Sequence, residues 1–324
     1  MKSIVGIVMA AVLSVLALFA GNASAQQYPS RPIRAIVPFP PAGPTDEVAR
    51  LVAHKLTEAW KQQVVVDNRS GAGGNIGMGI AANAPADGHT ILFVSSSLMV
   101  NPGLYKKIPY DPYKSFIPVS VLAASPHVFF THPSQPVKSI AELINVVKND
   151  SKKYSIASPG IGTVPHLSGL LLGLDAKIDL VVVPYAGGGP SIAAVVGNQV
   201  PFGCQAIPPV TPHIKAGRVR ALALTSDKRS EAVPEVPTMA ELGFKGHEAD
   251  TISGMLVPAG TPAAIVKKLH AEAVKAMLSP DVKSRIADQG FNIVVSSPQE
   301  FSAQIKRDVE KWGKVIKDAN IVVN

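Results

Sequence analysis

The sequence predicts an α/β fold of about two domains with largely parallel sheets. Three observations carry that expectation. The chain has 324 residues, which is too many for one small core. Its apolar residues fall into short, near-continuous runs that alternate with stretches of helical spacing, the pattern of strands covered on both faces by helices. The runs end in turns rich in the chain's 26 Gly and 28 Pro, which show no G-X-Y period. An apolar fraction of 47% against 17% charged residues excludes a disordered chain.

The first 25 residues are read as lying outside the fold. Met1 and Lys2 give a positive start, an apolar run follows from about Ile4 to Ala20, and Ala23-Ser24-Ala25 precedes Gln26. This order is that of a secretory signal peptide, expected to be cleaved after Ala25. The competing reading is a membrane anchor, since the run approaches spanning length. The A-x-A site and the polar, proline-rich sequence after it favour cleavage.

Ile33 to Val37 reads as a short buried strand that ends in Pro38-Phe39-Pro40-Pro41-Ala42-Gly43-Pro44. A helix is expected from about Pro44 to Trp60, because Val48, Leu51, Val52, Leu56 and Trp60 share one face. Pro44 suits its first turn, and Asp46 and Glu47 complement its positive end. Gln63 to Val66 is the next strand. The turn Asp67 to Asn75 and a helix through Ala82 follow, and then the strand Ile91 to Val94, which ends in Ser95-Ser96-Ser97. The same pattern recurs later. Tyr154 to Ala157 leads into Ser158-Pro159-Gly160-Ile161-Gly162-Thr163 and a helix carrying Leu167, Leu170, Leu171 and Leu174. Leu180 to Val183 leads into Pro184-Tyr185-Ala186-Gly187-Gly188-Gly189-Pro190 and a helix from Ser191 to Val196, stopped by Gly197. Val219 to Thr225 is one more strand.

Ile117 to Phe130 is apolar and longer than an average strand, so it is expected to cross between domains, with the chain returning near Thr251 to Val257. This places one domain at residues 26–124 and 250–324 and the other at 125–249. The last segment, from Pro262, reads as two or three helices with a charged, solvated face.

Cys204 is the only cysteine, so no intrachain disulfide is expected, and a buried small hydrophobe is its simplest role. The eight histidines show no ligand spacing, so no metal is expected, and no cofactor is assigned. The net charge of +8 lacks the aromatic interleaving that suits bases, so no nucleic-acid partner is expected.

The turns are the chemically suggestive feature. A helix N-terminus offers unpaired N–H groups and positive potential, and glycine lets a ligand approach them. Loops 38–45, 158–163 and 185–190 deliver this at strand ends, and 71–75 is a fourth. In α/β sheets ligands bind outside those ends, so facing loops would form an anion-binding cleft. Each loop alone is also explained as a tight turn before a helix. Gly71 to Gly77 resembles a dinucleotide loop, but G-x-G-x-x-G would require glycine where Ile76 stands. No G-x-S-x-G elbow is present. Ser158 and His166, eight residues apart, suit ligand contact or helix capping better than proton transfer, so no catalytic residue is assigned.

Taken together, Tyr28-Pro29-Ser30-Arg31-Pro32-Ile33-Arg34, Ile36 to Asp46, Asp67 to Gly77, Asn101-Pro102, Pro109-Tyr110-Asp111-Pro112, Gly162-Thr163, Pro184-Tyr185, Pro212 to Gly217 and Pro258-Ala259-Gly260-Thr261-Pro262 resemble the tripartite tricarboxylate transporter substrate-binding proteins, the Bug family. The resemblance spans essentially the whole chain after residue 25. It implies a two-domain periplasmic binding protein-like fold of type II, a Venus-flytrap cleft with two hinge crossings, and no enzymatic activity. It implies location in the periplasm, a small carboxylate ligand (a di- or tricarboxylate or an aromatic acid), and the permease subunits of a tripartite tricarboxylate-type transporter as partners. A monomer is expected. A sensor kinase ectodomain in place of the permease, and an exported hydrolase, stand as alternatives.

Carried across by position, the expected ligand-binding residues are Phe39, Pro40, Ala42, Gly43, Thr45, Gly74, Asn75, Ser95, Ser97, Ser158, Gly160, Gly162, Thr163, His166, Tyr185, Gly187 and Gln205. Three positions depart from the family's habit. Gln205 stands where an acidic residue is frequent, Ile252 where Trp is frequent, and Ala186 where Lys is common after Pro-Tyr. Gln205 removes an anion that would pair a ligand's ammonium group, so a ligand without a free amine is expected.

Overall fold

The computed structural model describes residues 28–318 except 227, 248 and 289, together with residue 321. The expected signal peptide lies outside the described residues. The chain begins with β1 (Ile33–Val37), α1 (Pro44–Trp60), β2 (Val64–Asn68), a 3-10 turn over Ala72–Gly74, α2 (Asn75–Ala82), β3 (Thr90–Val94) and α3 (Ser97–Leu104). β4 (Phe116–Thr131) follows, and then α4 (Ile140–Asn149), β5 (Ser155–Ser158), α5 (Val164–Ala176), β6 (Val181–Pro184), α6 (Gly188–Val196), β7 (Phe202–Ala206), α7 (Ile207–Lys215) and β8 (Arg220–Leu224). The chain ends with β9 (Asp250–Pro258), α8 (Ala263–Met277), α9 (Pro280–Asp288), β10 (Asn292–Ile293) and α10 (Pro298–Asp318).

The strand order is β2-β1-β3-β9-β4-β7-β5-β6, and β8 and β10 also pair with β4. Pairing is parallel within each βα set, β1 with β2 and β3, and β5 with β6 and β7. It is antiparallel where β9 meets β3 and β4, and where β4 meets β7 and β8. The sheet is therefore mixed, which corrects the expectation of largely parallel sheets. The reason is topological: β4 carries the chain out to the second set and β9 carries it back, so the two must run in opposite directions.

β4 explains how one strand serves both sets. Residues 116–126 pair with β9, ending at Ser125 opposite Thr251 and Pro126 opposite Asp250. From His127 onward its neighbours are β7 on one side and β8 on the other. The long apolar run is one continuous strand whose partners change at 126/127.

The inner strands β1, β3, β4 and β7 are mostly buried on both faces, as apolar strands require, whereas the edge strands β2 and β6 are half-buried to exposed. Along β1 and β3, Ile33, Ala35, Val37, Ile91 and Phe93 enter one cluster, while Ile36, Leu92 and Val94 enter the opposite one. In the second set Phe129 and Val128/Phe130 divide in the same way. Period-two alternation puts successive side chains on opposite faces. Val164 and Leu167 of α5 pack into a cluster of the first set, against residues such as Leu98 and Leu104, so the two sets meet at that helix. Helix ends follow local chemistry. Ser297 and Glu300 form a reciprocal capping box, with Glu300 N–H donating to Ser297 Oγ and Ser297 N–H donating to Glu300 Oε2.

Candidate functional site

Four loops, each between a strand end and a helix start, enclose a cavity of about 630 Å³. They are Pro38–Thr45, Ser70–Gly74, Pro159–Pro165 and Pro184–Pro190, joined by Ser95, Ser96, Tyr105, Gln205 and Thr251. The topology explains the convergence. Parallel strands put the loops that follow them on one edge, and the opposed sets turn those edges toward each other. Of the expected ligand-binding residues, Phe39, Pro40, Ala42, Gly43, Thr45, Gly74, Ser95, Gly160, Thr163, Tyr185, Gly187 and Gln205 border this cavity.

The first loop is held by a buried carboxylate. Asp46 accepts from Ala42 N–H (2.9 Å), from Arg50 Nε (2.8 Å) and from Asn68 Nδ2 (2.8 Å), and Asn68 also donates to Phe39 carbonyl oxygen (3.0 Å). Burial pushes this carboxyl up, but the hydrogen bonds from Arg50, Asn68 and Ala42 outweigh it and hold the pKa below the ordinary value. The charge is thus spent on shaping the loop, with Ala42 in left-handed backbone at φ 64°.

The lining is uncharged: among the described residues that border the cavity, none is Asp, Glu, Lys, Arg or His. What faces it instead is helix N-termini. α1 starts after Gly43, α5 after Thr163 and α6 after Gly187. First-turn amides have no acceptor within their own helix, so Thr45, Val164, Gly188 and Gly189 offer donors to a ligand. Proline occupies Pro44, Pro165 and Pro190, residues that lack an N–H to satisfy.

Gln205 is nearly buried, lies in β7 and borders the cavity. Its Oε1 accepts from Ala206 N–H at 2.9 Å, and its Nε2 lies 3.5 Å from Ser191 Oγ. A Cβ on Gly188 would sit 2.7 Å from that Nε2, so glycine there leaves the amide its place. The side chain's acceptor is occupied and its donor end faces the α6 start.

The other five expected residues stand one layer behind the lining. Asn75 accepts from Asn101 Nδ2 (2.8 Å) and Tyr110 Oη (3.2 Å). Ser97 Oγ donates to Gly162 carbonyl oxygen at 3.3 Å, which links the two sets directly. A Cβ on Gly162 would lie 2.8 Å from Leu104 Cδ2 and 2.9 Å from Asn101 Oδ1, so glycine permits this approach. Ser158 is fully buried, and its Oγ has no partner among the described residues. His166 is neutral, because burial lowers its pKa to about 4; its backbone N–H donates to Thr163 Oγ1 at 3.4 Å. Thus Thr163 is the helix cap, and neither Ser158 nor His166 is. Buried Cys204 has its thiol pushed up by burial, which leaves it a core residue.

Sequence reasoning missed the side chains of Ser70, Ser96, Tyr105 and Thr251 at the lining, and the amide of Val164. Ser96 lay between two expected residues, and its Oγ ties β3 to β9 by donating to Asp250 carbonyl oxygen (2.7 Å) and accepting from Ile252 N–H (3.1 Å). Thr251 had no local signal, since its place depends on a strand pairing across more than a hundred residues.

Residues 48–321 match the profile of the tripartite tricarboxylate transporter family receptor. The chain belongs to this receptor family. Protein BugT of Bordetella pertussis (strain Tohama I / ATCC BAA-589 / NCTC 13251) is 36% identical, with 96% of this chain and 98% of BugT covered. An R. palustris protein solved with adipate is 32% identical at a TM-score of 0.87, covering 91% of this chain and 100% of that one. MatC from Rhodopseudomonas palustris, solved with bound malate, is 31% identical at a TM-score of 0.84, covering 89% and 100%. The receptor therefore has the two-domain binding-protein architecture and is not an enzyme. The family places its partner in the membrane as a tripartite transporter. No helix among the described residues is long and apolar enough to cross a membrane.

Proposed function

We propose that this receptor works in the periplasm. It closes its two domains, residues 26–124 with 250–324 and residues 125–249, on a small carboxylate without a free amine, and it presents that solute as a monomer to a tripartite tricarboxylate-type permease. The observation that carries the ligand class is the uncharged cavity lined by helix N-termini, with Gln205 as a buried neutral amide. Amide dipoles and hydroxyls suit a carboxylate, which only accepts hydrogen bonds. An ammonium group only donates, and it would be buried there without a counter-ion, which costs several kcal/mol in order of magnitude. The relatives solved with adipate and malate support the same class, since neither acid carries an amine.

Calorimetry with adipate, malate, citrate and benzoate against aspartate and glutamate tests the reading. Binding confined to the amine-free acids is expected, and tight binding of aspartate or glutamate alone refutes it. Gln205→Glu should lower affinity for a dicarboxylate by at least about tenfold, since a second buried carboxylate repels the first. Pull-down from membranes with and without the bound acid identifies the recipient, a permease being expected and a sensor ectodomain the contrary result.

A further inference from the structure

We infer that His127 and Thr251, at the crossing of β4 and β9, form a donor relay that turns the Thr251 hydroxyl toward a carboxylate oxygen of the bound solute. This rests on the reading of the cavity as a carboxylate site and extends it to the hinge. His127 Nε2 lies 2.7 Å from Thr251 Oγ1, and Thr251 borders the cavity. The imidazole is fully buried. Its backbone is fixed on both sides, by pairing with Ala206 and by His127 N–H donating to Thr225 Oγ1 at 2.8 Å. The second ring nitrogen, Nδ1, is buried with no hydrogen-bond partner among the described residues.

These facts choose the tautomer. Burial holds the ring neutral, lowering its pKa to about 3, so one nitrogen carries hydrogen and the other a lone pair. If Nδ1 carried it, a buried N–H would be orphaned, the rarer kind of unsatisfied group in folded proteins. If Nε2 carries it, the orphan is a lone pair, and Nε2–H donates to Thr251 Oγ1. The threonine's own hydrogen is then free of the histidine. Among the described residues its hydroxyl has no other hydrogen-bond partner, so the cavity is where an acceptor can meet it. A carboxylate oxygen is such an acceptor, whereas an ammonium is not. His127 is thus a positioning residue that fixes the polarity of a ligand contact made at the strand crossing shared by both domains.

Two independent measurements test this. Long-range proton–nitrogen correlation of the imidazole at pH 7 is expected to show the Nε2–H tautomer, and an Nδ1–H ring overturns the relay. Calorimetry with whichever of adipate, malate, citrate or benzoate the wild type binds reads the ligand half. Thr251→Val should lose about tenfold in affinity, the order of one hydrogen bond to a charged group, while Thr251→Ser retains it. His127→Leu should weaken binding in the wild-type background and add nothing in Thr251→Val. His127→Gln, which donates from near the place of Nε2, should restore it. Loss in both backgrounds without rescue marks a merely structural histidine and overturns the relay. Unchanged affinity in Thr251→Val overturns the relay and leaves the receptor reading standing. A wild type that binds none of the four acids refutes that reading and, with it, the ligand half of the relay.

Discussion

Asp46 shows how a charge near a binding loop can serve shape and not ligand contact. It is 2% exposed and accepts from three groups that define the Phe39–Asp46 turn. Asp46→Asn keeps the size but puts an amide donor where acceptors are needed, so stability should fall by about 1–3 kcal/mol in urea unfolding. Buried His127 and His166 set the acid limit. Above their ordinary pKa of 6.5 both folded and unfolded forms are neutral. Below it the unfolded chain takes up protons that the folded ring refuses until about 4 for His166 and about 3 for His127. Stability therefore falls with falling pH, by up to about 1.4 kcal/mol per pH unit for each ring. The depressed carboxyl of Asp46 acts lower down: it stabilises above its ordinary 3.8 and is lost as pH falls through its folded value. Urea midpoints measured from pH 7 to 4 should decline, and a flat profile would count against buried neutral rings. At this scale the sequence was legible where chemistry is local. Asp46 after Pro44 announced a helix start, but its bonds to Asn68 and Ala42 came from a neighbouring strand and a turn.

The elements were legible where hydrophobic spacing is strong. α1 runs from Pro44 to Trp60 as its apolar face requires, and three helices occupy the region after Pro262. α6 begins at Gly188 instead of Ser191, because three residues with little intrinsic helix preference, Gly188-Gly189-Pro190, form its first turn. That shift matters, since it brings free amides to the cavity. α3, α4 and α7 escaped the reading; α3 and α7 carry internal proline, which masks a helical pattern, and α3 starts inside the serine run. Packing between elements is equally specific. Gly254 of β9 faces the Phe301 ring of α10, and a Cβ there would lie 2.5 Å from it. Gly254→Ala should cost about 1–3 kcal/mol by overpacking, read as a lower urea midpoint with an unchanged slope. A midpoint within error of wild type would show that the helix shifts freely.

The whole molecule is held at the cavity by contacts that cross between its sets. Ser97 reaches Gly162, and Val164 and Leu167 enter a core cluster of the other set. Under the proposed closure, binding is a population shift between open and closed forms. Small-angle scattering should show a smaller radius of gyration when a tight-binding acid is added. Gly162→Ala should abolish that change and weaken binding, because its φ of +80° disfavours a side chain and its Cβ would meet Leu104 and Asn101. A variant that contracts like the wild type would place the closing contact elsewhere. Charge acts only at a distance here: a chain at +8 with an uncharged cavity can attract anions without pairing them inside. The association rate should therefore fall with salt more steeply than the dissociation rate changes.

By itself the sequence determined the alternating strands and helices, the glycine turns before helices and the long crossing run, because each is written in local spacing and local backbone preference. Its motifs also carried the family resemblance. Only the tertiary structure decided that β4 and β9 run antiparallel, that Gln205 lies inside a strand beneath Gly188, and that Thr251 meets both His127 and the cavity. Those facts depend on which strands pair across long stretches of chain. Side-chain partners brought together in this way leave no period in the sequence from which they can be read.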